Sequence, residues 1–332
     1  GGTAGSGGTA GSGGTAGSGG TGGTAGSGGS AGEIKTAVEM VKAIKAGWNL
    51  GNALDSWDKT KGYVANSTDS ETYWNNKTKT TKDVIDAVAA GGFNTIRIPV
   101  TYYNHLNPAT GLIDKVWLDR VEEVVTWALA NNLYTIINVH HDAGMEGWIL
   151  CDSDKVAANQ KALSNLWTQI SKRFKGYDNR LMFEITNEII NSDKSWDWAK
   201  SWDDFKAIHQ LDQSAITIIR NDGDNNLKRF IIVSPFVAST DDCEIEQLFK
   251  DPFVDPVKDH IIMSLHNYNA DPTKLPAQIA SWSATAAKRA PGIPVIMDEF
   301  GSTASNPLGL RIRAAATYVS EARKNGMGAV VW

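Results

Sequence analysis

Two glutamates stand at the ends of apolar segments, and their positions suggest a shared chemistry. Glu188 follows the run Leu-Met-Phe-Glu-Ile-Thr-Asn, and Glu299 follows Pro-Val-Ile-Met-Asp. Two facing carboxyl groups about 5–5.5 Å apart can cleave a glycosidic bond with retention, one as acid/base and one as nucleophile. The acid must keep its proton while the nucleophile stays ionised. We therefore expect Glu188 and Glu299 to form a catalytic pair.

The charged neighbours of this pair matter for its protonation. Arg97 ends another apolar run, and a fixed guanidinium beside Glu299 would favour the ionised carboxylate. The alternative for Arg97 is a structural ion pair with Glu184, and both interpretations can hold together. Asp298 directly precedes Glu299. A second carboxylate so close is expected to raise the pKa of Glu299.

His140, His141 and Asp142 invite a metal hypothesis. Adjacent residues of a regular strand point to opposite faces, so the two histidines are not expected to bind one ion. No HExxH spacing is present either. We expect no metal and no organic cofactor. A neutral histidine that hydrogen-bonds sugar hydroxyls fits better, with a purely structural role as the alternative for His141.

Tryptophan is the most informative residue type for the substrate class. Trp332 closes the last apolar run, where its flat face could stack on a pyranose ring. Aromatic residues more often pack than bind, so each further tryptophan alone is weak evidence. Together, the tryptophans of the predicted loops suggest a groove for a sugar polymer: Trp57, Trp148, Trp196, Trp198 and Trp202.

Short apolar runs alternate with amphipathic stretches, which is typical of parallel βαβ units. Eight runs predict strands, and their C-terminal ends deliver polar or aromatic residues to one face. Eight strands with intervening helices favour an α/β fold, a closed (β/α)8 TIM barrel, whose active site lies at that face. The fifth crossover, around Glu244–Lys250, is expected to be short. The strand predictions are Ala46–Leu50, Thr95–Pro99, Tyr134–Val139, Leu181–Ile185, Phe230–Val233, Ile261–Leu265, Val295–Met297 and Met327–Trp332.

Composition divides the chain in two. Residues 1–32 repeat Gly-Gly-Thr-Ala-Gly-Ser and lack apolar groups to bury, which predicts a flexible linker; an engineered spacer is the alternative. Residues 33–332 are long enough for one barrel domain. A net charge of −5 argues against nucleic acid and anionic membranes. Cys151 and Cys243 match no metal spacing and could form a disulfide or remain two thiols.

The motifs, taken in order, resemble glycoside hydrolase family 5, which is dominated by endo-β-1,4-glucanases. The resemblance runs from about Ala37 to Trp332. Its motifs are Gly47-Trp-Asn-Leu-Gly-Asn52, Gly92-Phe-Asn-Thr-Ile-Arg-Ile-Pro99, His140-His141, Asn187-Glu188, His266-x-Tyr268 and Glu299-Phe-Gly301. The segments around Glu71 and Tyr102 resemble most the bacterial and rumen endoglucanase branch, some members of which accept xyloglucan or mixed-linkage glucan.

The resemblance implies roles for individual residues. Glu188 would be the acid/base and Glu299 the nucleophile, with no metal or cofactor. The remaining positions would bind β-glucan. Asn187 would hold the sugar 2-hydroxyl, and Trp332 would stack beneath the same ring. The full set of implied binding residues is Arg97, His140, Asn187, His266, Tyr268 and Trp332, with outer subsites near Asn52, Trp57, His141 and Trp148.

The chain departs from the family pattern at its end. Family members continue past the last strand with a covering helix, whereas this sequence stops at Trp332. We expect a C-terminally incomplete barrel that is weakly stable or inactive by itself. Because the sequence starts without Met or a signal peptide, we also expect a longer precursor. A secreted enzyme with a carbohydrate-binding or anchoring module upstream of the linker would explain the tether.

Three other functions remain open. A xyloglucanase, mixed-linkage glucanase or mannanase would use the same scaffold, because loop side chains of the outer subsites select the polymer. A non-catalytic polysaccharide-binding protein is the second alternative. A metal-dependent barrel hydrolase is the third, and sensitivity of activity to EDTA would support it.

Overall fold

The computed structural model describes residues 34–75, 77–195 and 201–332. Lys35–Trp332 form one compact unit. The predicted linker over residues 1–32 lies outside the described residues, as do Trp196 and Trp198.

Eight parallel strands close into a barrel in chain order, and the last strand pairs with the first. This confirms the predicted (β/α)8 TIM barrel. Each strand matches one predicted run to within a few residues at either end. The strands are β1 (Gly47–Asn49), β2 (Thr95–Ile98), β3 (Tyr134–Asn138), β4 (Leu181–Glu184), β5 (Ile231–Val233), β6 (Ile261–Asn267), β7 (Val295–Phe300) and β8 (Gly328–Val331).

Seven helices lie in the crossovers between these strands, and one helix precedes the barrel. Their apolar faces pack on the sheet: in α4, for example, Leu163, Trp167 and Phe174 are fully buried. The fifth crossover holds only a seven-residue helix, as expected. The helices are α1 (Ala37–Ala43), α2 (Lys82–Ala90), α3 (Lys115–Ala130), α4 (Val156–Phe174), α5 (Trp202–Asn221), α6 (Asp242–Leu248), α7 (Leu275–Arg289) and α8 (Leu308–Lys324).

The helix before β1 was missed by the sequence analysis. Thr36 and Glu39 form a reciprocal capping box at its start. The spacing Thr-x-x-Glu is a recognised sequence signal for such a start, so the signal was present. Met40 and Val41 are buried, and the Ala37 amide donates to the Asp259 carbonyl.

β6 and β7 run further than predicted, and β7 contains one extra residue. Against β6, Ser264 is opposite Ile296 but His266 is opposite Glu299. The pairing of β7 with β8 shifts between Met297 and Phe300 as well. The shifts overlap at Asp298 and Glu299, which we call the β7 bulge. A bulge re-aims side chains at the rim of a barrel.

A groove lies beside the end of β8. Its lining includes Phe300, Tyr318, Val331 and Trp332, and the neighbouring α8 side chains Leu308 and Ile312 are 66% and 60% exposed. Within the described residues, no helix follows β8. Apolar surface of α8 is therefore in contact with solvent in this structure.

The cysteines are two free thiols, Cys151 buried and Cys243 partly exposed, so the disulfide alternative is wrong. Burial raises the pKa of both thiols. In the part of the chain that the structure describes, none of the helices combines the length and apolar character needed to cross a bilayer.

Candidate active site

Arg97 organises the floor of the barrel mouth. It is fully buried in β2, and its Nε and Nη2 donate to the two oxygens of Glu184 at 2.6 and 2.7 Å. The same guanidinium donates to Asn187 Oδ1 at 2.6 Å and to Glu299 Oε2 at 3.1 Å. Both predicted interpretations of Arg97 therefore hold. Nε and Nη2 form the ion pair with Glu184, while Nη1 donates to Glu299.

Glu188 and Glu299 face each other across this floor. One carboxylate oxygen of each lies within 4.8 Å of the other, with His266 in the same cluster. Glu188 comes from the loop after β4 and its side chain is 16% exposed, whereas the Glu299 side chain is 8% exposed. An oxygen–oxygen separation within this limit is compatible with the roughly 5–5.5 Å between the carboxyl groups of a retaining pair.

Glu299 is held by two donors, one on each oxygen. The Tyr268 hydroxyl donates to Oε1 at 2.5 Å, and Arg97 donates to Oε2. Burial is the largest influence on Glu299 and raises its pKa. The positive charge of His266 lowers this pKa, the negative charge of Glu188 raises it, and Arg97 lowers it. The direction agrees with the sequence expectation, but the principal cause is burial rather than Asp298. Tyr268 stays a phenol, since burial and then Glu299 raise its pKa.

His266 stands between several carboxylates. Its Nδ1 lies 2.8 Å from Glu188 Oε1 and 3.8 Å from Glu299 Oε2, and its Nε2 lies 3.3 Å from Asp298 Oδ1. Burial alone would lower the pKa of His266, but Glu299, Asp298 and Glu188 raise it well above its ordinary value. These carboxylates favour the protonated, imidazolium form of His266.

His140 behaves differently. It is buried, and burial first, then the positive neighbours, lower its pKa well below the ordinary value. Asn138 Nδ2 lies 3.0 Å from His140 Nδ1, so the amide donates and the remaining proton sits on Nε2. The His140 ring stacks on Trp332 with centroids 5.7 Å apart and planes at 2°. His140 thus supports the Trp332 ring.

Two asparagines that were not predicted as site residues also belong to this network. Asn49 accepts from Arg97 Nη1 at 3.0 Å and donates to the Asp298 and Val331 carbonyls at 2.9 and 3.2 Å. Asn138 also contacts Glu184 at 3.2 Å. Both lie inside apolar strands, where a polar residue must find buried partners. An asparagine in an apolar run was therefore the sequence signal for a buried hydrogen-bond network.

The suggested outer subsites divide into exposed and buried residues. Asn52 is exposed, and His141 and Trp148 are partly exposed. Trp148 Nε1 donates to Asp142 at 2.8 Å. Trp57 is only 7% exposed and packs edge-on against Tyr103, which favours a packing role over that of an exposed sugar platform.

Trp74 is an aromatic residue that the sequence analysis did not single out for binding. It is 43% exposed and its ring contacts that of His141, with centroids 5.1 Å apart. The sequence signal was its position in the Glu71 motif. Trp202, which begins α5, is also exposed.

Among the residues that the structure describes, three clusters place histidine and acidic ligand atoms within 4.8 Å of one another: Asp55 with His140 and His141, Glu184 with His266 and Asp298, and Glu188 with His266 and Glu299. The first corrects the geometric reason given against a shared ion. β3 ends at Asn138, so the two histidines leave regular strand geometry and their rings meet at 4.4 Å.

Several carboxylate oxygens of these clusters already have partners in the protein. Both Asp55 oxygens accept backbone N–H groups, at 3.1 and 2.8 Å. In the other two clusters the Arg97 guanidinium pairs with Glu184 and Glu299. Such a fixed cation would repel a metal ion. The absence of a metal requirement stays a prediction.

A closed barrel with two facing carboxylates at the C-terminal mouth is the arrangement of a retaining glycoside hydrolase. The family model described as cellulase, glycosyl hydrolase family 5, matches residues 57–332, and the chain belongs to this family.

Curated relatives agree with this assignment. The chain is 31% identical over 318 residues to endoglucanase A of Clostridium longisporum, covering 90% of this chain and 59% of the relative. It is 34% identical over 317 residues to the cellulase/esterase CelE of Acetivibrio thermocellus, covering 90% of this chain and 36% of that protein. The chain thus spans about a third to three fifths of these two relatives.

A solved structure matches over nearly the whole domain. A glycoside hydrolase family 5 enzyme of Prevotella bryantii B14, in complex with the xyloglucan tetradecasaccharide XXXGXXXG, superposes with a TM-score of 0.82 at 28% identity. The match covers 90% of each chain.

Proposed function

We propose that this chain is an endo-acting retaining β-1,4-glucanase, with Glu188 as acid/base and Glu299 as nucleophile. The observation that carries the proposal is the carboxylate pair, whose nearest oxygens lie within 4.8 Å at the mouth of the barrel. Glu299 attacks the anomeric carbon while Glu188 gives its proton to the glycosidic oxygen. Glu188 then takes a proton from the water that releases the sugar from Glu299.

The surrounding side chains fit these two steps. Tyr268 and Arg97 hold the Glu299 carboxylate by one oxygen each, which fixes its line of attack. Asn187, oriented by Arg97, donates its amide to the sugar 2-hydroxyl, a contact that strengthens in the transition state. Trp332 supplies the stacking face, and His140 donates to a hydroxyl through Nε2.

Relatives support the substrate class. The names endoglucanase and cellulase/esterase belong to two of them, and the Prevotella bryantii enzyme holds a xyloglucan oligosaccharide. We propose β-1,4-glucan as substrate, with xyloglucan and mixed-linkage glucan as the nearest competitors. The partly exposed Trp74, His141 and Trp148 are positioned to contribute to the choice in the outer subsites.

Chemical rescue tests the two assigned roles with an activated aryl β-cellobioside. Glu188→Ala is expected to lower kcat/KM by about 10²–10⁴-fold, and azide should restore turnover with a β-glycosyl azide as product. Glu299→Gly is expected to lose more than about 10⁴-fold and to give an α-glycosyl azide.

Glu146→Gln is the control, because Glu146 is exposed in the loop after β3. It should keep the parent rate. Exchange of the two azide products would reverse the assignment, and full activity in either glutamate variant would disprove the catalytic pair.

A panel of carboxymethyl-cellulose, mixed-linkage glucan, xyloglucan and mannan resolves the substrate. Highest kcat/KM on a glucan with mid-chain cleavage supports the proposal, whereas preference for mannan contradicts it. Retardation in a polysaccharide-containing native gel without hydrolysis would favour the binding-only alternative. Loss of activity in EDTA, restored by a divalent ion, would favour the metal-dependent alternative.

We further propose that residues 1–32 tether the barrel to an anchoring or carbohydrate-binding module and that the protein is secreted. The repetitive Gly-Thr-Ala-Ser composition supports a linker, and the greater length of the relatives leaves room for more domains. Limited proteolysis should cut within residues 1–32 and leave the barrel intact. Protection of this segment would contradict the linker assignment.

A further inference from the structure

Asp298 is a buried carboxylate that the proposed reaction does not yet use. In a regular strand, successive side chains point to opposite faces, so Asp298 and Glu299 would not share the barrel interior. The β7 bulge changes this, and both residues are buried, at 0% and 6% exposure. One extra residue therefore brings a second carboxylate under the catalytic pair.

The contacts of Asp298 point toward His266. Ser264 Oγ donates to Asp298 Oδ1 at 2.5 Å, and His266 Nε2 lies 3.3 Å from the same oxygen. The other oxygen lies 3.9 Å from Arg97 Nε. The Nε2 contact is an ion pair rather than an aligned hydrogen bond. Asp298 thus places a fixed negative charge on the side of the imidazole opposite Glu188.

Charged and titratable groups from several neighbouring elements face His266. β7 supplies Asp298 and Glu299, the loop after β4 supplies Glu188, and β4 itself supplies Glu184. Arg97 and the neutral His140 face it from β2 and β3. With Glu188 protonated as the acid, Glu184, Asp298 and Glu299 still surround one guanidinium, so a second cation would balance their charge. The only group placed to carry that charge among these residues is His266.

We propose that Asp298 is a positioning residue that keeps His266 doubly protonated, so that Nδ1–H donates to Glu188 and the Glu188 proton remains free for the leaving-group oxygen. This inference rests on the proposed acid/base role of Glu188. Carboxylates face both ring nitrogens, and a neutral imidazole carries only one proton. If Nδ1 lost its proton, it would accept the Glu188 proton and turn it away from the substrate.

The directions of the pKa shifts of Asp298 and His266 agree with an ionised Asp298 beside a protonated His266. Burial opposes ionisation of Asp298, yet His266 and then Arg97 outweigh it and lower the pKa of Asp298. The same contact contributes to the raised pKa of His266. An opposite charge within about 4–6 Å shifts a pKa by about 1–3 units. Removal of the Asp298 charge should therefore release the second proton of His266 at lower pH.

Nitrogen-15 NMR of labelled histidine tests the proposal without an activity assay. Assigned by its loss in His266→Asn, the His266 signal should report an imidazolium at pH 7 in the parent. In Asp298→Asn, which keeps size but removes charge, the titration midpoint should fall by at least about one pH unit. A neutral His266 in the parent, or an unchanged midpoint in the variant, overturns the proposal.

The pH profile of kcat/KM provides the functional readout. Removal of a nearby negative charge weakens proton binding by the Glu188–His266 pair, so the alkaline limb of Asp298→Asn should move to lower pH by about one unit or more. Ser264→Ala removes a hydrogen bond but keeps the carboxylate, and its alkaline limb should stay at the parent position. Equal shifts in both variants would indicate a packing effect and contradict the charge role.

The experiments distinguish the proposed acid/base role of Glu188 from the proposed role of Asp298. If azide gives neither expected product but the His266 midpoint still falls in Asp298→Asn, Glu188 is rejected as acid/base. The charge contact between Asp298 and His266 then remains supported. A correct azide product with an unshifted His266 midpoint would reject the role of Asp298 alone. Melting temperatures of all variants check that each one folds.

Discussion

Arg97 donates five hydrogen bonds to four described side chains, and this multiplicity explains much of the candidate site. A planar guanidinium fixes the relative positions of the groups that it contacts, which an ammonium could not do. Glu184 compensates the charge, while Asn187 and Glu299 are oriented for substrate. The sequence predicted the partners Glu184 and Glu299 because all three residues end or occupy apolar runs.

The protonation of the two histidines could not be predicted from sequence. His140 and His266 are both buried at strand ends, yet burial makes one neutral and surrounding carboxylates make the other cationic. The balance depends on contacts of 3–4 Å between residues far apart in the chain. Residue type and spacing do not contain those distances.

Asp142 provides a test of buried charge at the residue scale. Burial raises the pKa of Asp142 from 3.8 to about 6, against hydrogen bonds from the Tyr102 amide and Trp148. The folded-state pKa is the higher one, so its contribution to stability is complete below about pH 4 and is lost as pH rises through about 6. Relative to the parent, Asp142→Asn should gain about 2 kcal/mol in unfolding free energy between pH 4 and pH 7.

Urea denaturation at pH 4, 5.5 and 7 measures this difference. Asp86→Asn serves as a control of opposite sign, because hydrogen bonds from Lys82 and Asn131 lower the pKa of the partly exposed Asp86. A parent–variant difference for Asp142→Asn that is independent of pH would show that Asp142 is not buried as an acid.

At the scale of elements, the helices were more predictable than the strand ends: the amphipathic stretches Lys115–Asn131 and Lys155–Lys175 match α3 and α4 to within one residue at each end. Amphipathic helices expose one face, and the resulting periodicity marks their limits in sequence. All six residues of β7 are buried, so no alternation of polar and apolar residues reveals its length or its bulge. The predicted strand therefore ends at Met297, before Glu299, whereas β7 continues to Phe300. α1 was missed although its capping residues were visible.

α8 offers a matched pair of substitutions on one helix. Ile312 is 60% exposed beside the β8 groove, whereas Tyr318 is 1% exposed and donates to Asn267 at 2.9–3.0 Å. Ile312→Ser should change the unfolding free energy by less than about 0.5 kcal/mol. Tyr318→Ala should lower it by about 3–5 kcal/mol.

Chemical denaturation of the two variants measures this contrast. A large destabilisation by Ile312→Ser would mean that the exposed face of α8 is covered in solution. Static light scattering would then distinguish association of the chain with itself from a change within the monomer.

At the scale of the whole molecule, the fold followed directly from the count and order of the apolar runs. Eight parallel strands in one chain have few alternatives to a closed barrel. Its seam was not predictable in detail. β1 and β8 pair through only Gly47–Val330 and Trp48–Val331, and a side chain on Gly47 would approach Val330 to 2.6 Å. Glycine is required there by contact across the seam.

Asn49 reinforces the seam and tests its importance. Its amide joins β1 to the Asp298 and Val331 carbonyls while accepting from Arg97. Asn49→Ala leaves buried groups unpaired, so we expect a loss of about 2–4 kcal/mol in unfolding free energy and a parallel fall in kcat/KM. Hydrogen exchange should rise in peptides of β1 and β8 more than in those of β3 and β4. Uniform exchange across the barrel would contradict a special role of the seam.

The seam joins residues about 280 positions apart, so its formation carries a loop-closure cost of about 5 kcal/mol and is expected late in folding. Asn49 contacts Arg97 from this same seam. The guanidinium that holds Glu299, the proposed nucleophile, is therefore fully restrained only after the ring has closed. During refolding, hydrolytic activity should therefore return at the rate of the slowest structural phase. A partly folded chain is expected to be inactive rather than partly active.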